Sequence, residues 1–109
     1  MSDLTAPTLA TMRLAEAVMQ LDALDALATL YVQQPWSAAS RCVSVLPEEG
    51  VLARDFEAAT GLAYFLEVEV AREALGVFAG RSTTIADKIR LLVHYAEFDA
   101  LPEWAQVPI

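Results

Sequence analysis

The 109-residue chain holds one cysteine, one histidine and one lysine, and these scarcities exclude whole classes of chemistry. A single thiol, Cys42, cannot form an intramolecular disulfide, so the fold has to be held by its core. As a nucleophile Cys42 has no base near it in sequence, and it reads as an inert, partly buried side chain. A single imidazole, His94, excludes a two-histidine zinc site within one chain and the paired Glu-x-x-His motifs of di-iron bundles. Lys88 alone offers little for phosphoryl or Schiff-base chemistry, and neither Gly-x-x-x-x-Gly-Lys nor Gly-x-Gly-x-x-Gly occurs. No serine or threonine sits in a nucleophile elbow.

Positive charge is also scarce. Seven basic residues against fifteen acidic ones give a formal net charge of −8, a field that repels phosphate backbones and anionic membranes. Ser82 to Glu97 resembles the opening helix of a helix-turn-helix. No recognition helix follows it, and the chain continues through Glu97, Asp99 and Glu103, so nucleic acid is not an expected partner. No apolar run reaches the length of a bilayer span; the best candidate, Ala58 to Leu66, carries Thr60 and Gly61. Met1 to Leu14 has an acid at Asp3 and no basic stretch or unbroken apolar segment. No secretory signal or membrane contact is therefore expected, and the expected compartment is the cytoplasm.

What the chain has in quantity is apolar side chain, 56% against 20% charged, which excludes intrinsic disorder. Its mean hydropathy of +0.40 is high for a chain that buries only about two-thirds of its surface as a monomer. A second buried surface, most simply a homodimer, is expected.

Four glycines and five prolines leave long stretches free of breakers, which favours helices. From Pro7, the residues Ala10, Leu14, Ala17, Leu21, Leu24, Ala28 and Tyr31 follow 4,3 spacing and predict one helix over about 7–33, with Asp22 and Asp25 as the place where it could divide. Leu52, Phe56, Ala59, Ala63, Leu66 and Val70 repeat the pattern, and Val77 resumes it. They predict a helix over about 51–79, stopped by Gly80, with Gly61 explained by a close helix crossing. Between the two, a connector element over about 37–46 is either a short helix capped by Ser37 or, from its alternating Ser and Val, a short strand. Thr84 and Asp87 have capping-box spacing and open a third helix over about 85–99. Residues 100–109 form a tail with Pro102, Pro108 and Trp104. The expected fold is a single all-α domain over 1–109, two long antiparallel helices with the third packed across them.

The third helix has a core stripe of Ile85, Ile89, Leu92 and Ala96 and a second apolar strip, Leu91, Tyr95 and Phe98. That strip, with Trp104 as anchor, is the candidate interface. Glu69 and Glu73 at i, i+4, with His94 and Glu97 at i, i+3, are the only candidate metal ligands, and they read more simply as solvated side chains. Glu48, Glu49, Asp55 and Glu57 form a candidate acidic docking surface that also suits a helix N-terminus.

These readings point to a non-enzymatic, cofactor-free interaction module that binds and occludes another protein, basic in character, in the manner of a bacterial or phage-encoded inhibitor or adaptor. One alternative is a small-molecule- or metal-binding bundle, a possible enzyme subunit, with a pocket lined by Tyr64, Tyr95, Glu69, Glu73 and His94. The other is a structural subunit of a larger assembly.

Overall fold

The computed structural model describes residues 11–46 and 53–105. The all-α expectation is overturned: the described residues form a four-stranded antiparallel sheet with helices on both faces. In chain order the elements are β1 (Met12–Arg13), α1 (Leu14–Met19), β2 (Thr29–Val32), β3 (Arg41–Val45), α2 (Ala53–Thr60), β4 (Ala63–Glu67), α3 (Val68–Leu75) and α4 (Ile85–Phe98), with 3-10 turns at Leu21–Ala23, Gly76–Phe78 and Glu103–Ala105. The sheet order is β1-β3-β2-β4.

The predicted helix over 7–33 survives only as α1, and its first residues, 7–10, lie outside the described residues. α1 ends at Met19 with Gln20 as its C-cap and passes through the 3-10 turn Leu21–Ala23, and Asp25 then turns the chain towards β2 without any glycine or proline. Its carboxylate accepts the Leu27 N–H at 2.9 Å and its carbonyl accepts the Ala28 N–H at 3.0 Å, a turn that aspartate builds from its own atoms. Thr29–Val32 then runs extended, rich in the β-branched and aromatic types that suit a strand. The connector resolves as the strand alternative, β3, and Ser37 caps no helix there.

The predicted helix over 51–79 is divided into α2, β4, α3 and a 3-10 turn, with residues 51 and 52 outside the described part. Gly61, at φ +75°, takes the left-handed conformation just past α2, and its N–H reaches the Glu57 carbonyl at 2.8 Å. It is the residue after a helix end and not a crossing point. The third predicted helix is present as α4. Thr84 Oγ1 accepts the Asp87 N–H and the Asp87 carboxylate accepts the Thr84 N–H, and Asp99 closes the helix in the left-handed region.

The register explains the layers. Leu30, Val32 and Cys42 face one side with Leu66, while Tyr31 and Val43 face the other. A bulge opposite Leu30 and Tyr31 lets the consecutive residues Phe65 and Leu66 both enter the larger core. β1 runs parallel to β2 because each is antiparallel to β3, and β3 runs parallel to β4 through β2. The crossovers through α1 and α2 therefore advance the same way across the sheet from oppositely directed strands. A common hand then places their helices on opposite faces. Accordingly Leu14, Ala17 and Val18 of α1 lie in the larger core with α3 and α4, and Phe56 of α2 packs on the smaller cluster.

Arg72 of α3 closes the corner after α1. Its Nε and Nη2 donate to the Leu21 carbonyl at 3.2 and 2.9 Å, and Nη2 also donates to the Leu24 carbonyl. Asp22, 3.9 Å away and fully exposed, adds little. Replacing Arg72 with Met keeps most of the stem and orphans the two carbonyls, with an expected loss of about 2 kcal/mol of stability. Urea unfolding tests this; a change below about 0.5 kcal/mol would show that the corner holds without the guanidinium.

Candidate binding groove

One face of α4 is left uncovered by the core and borders a groove of about 470 Å³. Its floor is Ile89 and Val93, its polar row is Arg90, His94 and Glu97, and its walls are Trp36 and Trp104. The β2–β3 loop positions the first wall. Trp36 Nε1 donates to the Val32 carbonyl at 3.1 Å, and the ring meets Phe65 edge-on at 5.0 Å between centroids. Ser40, buried, holds this loop by donating to the Pro35 carbonyl at 3.0 Å and accepting the Ser37 N–H at 2.9 Å. The loop is tied to α1 through Ala15 N–H to the Ala38 carbonyl at 3.0 Å.

The second wall comes from the 3-10 turn Glu103–Ala105. Trp104 stacks on Phe78 at 6.2 Å, and Arg81 Nη1 donates to the Ala105 carbonyl at 3.3 Å. The Arg90 guanidinium lies over the Trp104 ring, 4.3 Å from its centroid, which extends the aromatic wall with a flat cation. His94 sits one turn further along α4, its ring against Phe98 at 4.7 Å and its Nδ1 3.0 Å from the Ala100 carbonyl. A carbonyl only accepts, so Nδ1 is the donor in this contact. Glu97 has no cation within ion-pair distance among the described residues.

The proposed interface strip is split by the fold. Leu91 is 0% exposed in the larger core, Tyr95 packs half-buried against that core, and Phe98 stands 64% exposed. Trp104 is half-buried in the groove wall. Glu69 and Glu73 are exposed on α3 and do not line the groove that holds His94 and Glu97. No three His, Cys, Asp or Glu side chains among the described residues gather closely enough to hold a metal ion. Tyr64 and Tyr95 do not line the groove either.

Of the acidic surface, Glu48 and Glu49 lie outside the described residues, and Asp55 is exposed on α2. Glu57 has a structural partner, accepting the Tyr64 N–H at 2.7 Å. Sequence reasoning missed Arg90 and the joining of Trp36 to Trp104. Its available signal was the row Arg90, His94, Glu97 at i, i+4, i+7 on one helix whose apolar stripe points elsewhere.

No family model, curated protein or solved structure gives a significant match to the chain. No helix among the described residues is long and apolar enough to cross a membrane.

Cys42 is fully buried beneath the helical layer, and burial pushes its thiol from 9.0 up to about 12. In the unfolded chain the thiol ionises at its ordinary value, so the stability gained by keeping it neutral is whole below pH 9 and is lost as pH rises towards 12. The loss runs at about 1.4 kcal/mol per pH unit. Tyr31 and Tyr64, also raised chiefly by burial, add to the same alkaline loss. Thermal unfolding from pH 8 to 11 is expected to show a steep alkaline decline that is shallower in Cys42→Ala, and native Cys42 is expected to react with a disulfide reagent only as fast as the protein opens. Prompt labelling at pH 8 would contradict this burial.

Proposed function

We propose that this chain is a small acidic binding module, an inhibitor or adaptor that acts by occupying a partner protein and not by chemistry. The observation that carries the reading is the pairing of both tryptophans of the chain with a ring-stacked arginine in one groove. Tryptophan and arginine are among the residue types that most often dominate binding energy at protein interfaces, and a groove lets an anchor side chain lose part of its water contact. Arg90 is already engaged with Trp104, whereas Glu97 is exposed with no cation beside it among the described residues. The complementary partner segment is thus an apolar anchor flanked by Lys or Arg. A net charge of −8 favours the approach of such a basic partner and makes its association rate fall with salt.

A groove of this volume also lies in the range that small ligands fill. The same assay separates that reading, because the two tryptophans make intrinsic fluorescence a direct report on the groove. Peptides selected from a random library on the wild-type protein are expected to combine an apolar residue with a neighbouring cation and to perturb tryptophan emission. Their binding is expected to weaken at least tenfold on Ala38→Arg, which fills the groove from an exposed loop position, and on Glu97→Gln with a smaller salt slope. Peptides that bind the groove-filled variant as well as the wild type would overturn the proposal.

A further inference from the structure

β4 is an edge strand: among the described residues β2 is its only neighbour in the sheet. Such an edge offers unpaired backbone groups to any extended chain, and proteins that stay apart protect it. β4, reading Ala-Tyr-Phe-Leu-Glu, has neither lysine nor proline, and beside its bulge and the exposed Glu67 at its end it carries a third protection. Its Tyr64 N–H is taken by the Glu57 carboxylate of α2 at 2.7 Å, and not by β2. Glu57 stands seven residues earlier in sequence and on a different element. The reach is made possible by the turn at Thr60 and Gly61, where Thr60 Oγ1 donates to the Phe56 carbonyl at 2.8 Å and accepts the Leu62 N–H at 3.2 Å.

The geometry points to Glu57 as a guard that keeps β4 from pairing, antiparallel, with β4 of a second copy of this chain. The occupant follows from symmetry: an identical strand is self-complementary about a twofold axis, so two free β4 edges would close into one continuous sheet. The remaining strand composition suits pairing, with Phe65 and Leu66 buried below and Tyr64, 41% exposed, standing on the α2 side against Tyr31. The guard rides on a lightly held helix. No residue of α2 is fully buried, and its inward contact is Phe56 on Tyr31 at 4.4 Å. This device is separate from the α4 groove, which none of Glu57, Tyr64 or α2 lines.

The test compares Glu57→Ala with Glu57→Gln, whose amide oxygen still accepts the Tyr64 N–H but carries no charge. By light scattering over a concentration series, Glu57→Ala is expected to self-associate at least tenfold more tightly than wild type, and Glu57→Gln to stay within about twofold of it. Hydrogen exchange on the associated Glu57→Ala protein is expected to show new protection confined to residues 63–67. Association of the Gln variant as strong as that of the Ala variant would overturn the hydrogen-bond guard in favour of simple charge repulsion. Unchanged association of a folded Glu57→Ala, or new protection elsewhere, would overturn the β4 edge. If Glu57→Ala does not fold, exchange on the wild type decides: a Tyr64 amide that exchanges as fast as an open edge amide contradicts the contact.

Discussion

The constraint on which the rest of the structure depends is that the central hairpin, β2 with β3, is apolar on both faces. Leu30, Val32 and Cys42 point one way and Tyr31 and Val43 the other, and all are buried. Neither face can be left to water, so each strand pair has to be joined through a helix that covers one side. The crossover through α1 covers the first face and the crossover through α2 the second, and the handedness of such connections leaves no other assignment once the strand order is set. The two covers are unequal. α1, α3 and α4 supply a continuous core on one side, while α2 supplies a single aromatic contact and a carboxylate on the other.

The same constraint explains which parts of the fold were legible in the sequence. A strand buried on both faces loses the in-and-out alternation that marks a half-exposed strand and reads as a short apolar run. Ala28 to Val32 is such a run, Ala63 to Leu66 is a short apolar run on an edge strand, and 4,3 spacing passes through both as readily as through a helix. The apolar positions were sound even though the element type was not: Leu14, Ala17, Leu21, Ala28 and Tyr31 are all buried, but across a helix, a turn and a strand. α4 was legible because its start and stop are local chemistry, Thr84 with Asp87 and then Asp99. The end of α1 at Met19 was not, since no glycine or proline marks it and the corner is completed by Arg72, 51 residues from Leu21; Asp25, named as a place where the helix could divide, turns the chain only after the 3-10 turn.

The groove was half legible for a related reason. The two tryptophans are single residues, one in the β2–β3 loop and one in the Glu103–Ala105 turn, and nothing in their local sequence says that they line one groove. They line one groove because the β2–β3 loop is braced by Ser40 and tied to the start of α1, and the Glu103–Ala105 turn is pinned by Arg81 and Phe78 beside α4. α4 lies between them, and its core stripe and groove row are set by helical spacing alone. A second apolar strip on that helix read as an interface, yet Leu91 is needed by the core that α4 shares with α1 and α3. The surface of α4 left uncovered beside the groove is the polar row Arg90, His94 and Glu97.

The distribution of the few cations gives this surface its sign. Arg72 is spent on the carbonyls of Leu21 and Leu24, Arg81 on the carbonyl of Ala105, and Arg90 on the face of Trp104. Arg72 also lies 3.9 Å from the fully exposed Asp22, a weak ion pair. In a chain with more than two acids per base, cations used to cap backbone and ring leave Asp55, Glu69, Glu73 and Glu97 facing water with their charge intact. Such a surface self-repels slightly and adds little to stability. On the proposed reading it would serve the long-range attraction of a basic partner, which acts before contact and needs no fixed geometry, and the groove beside α4 would supply the short-range fit.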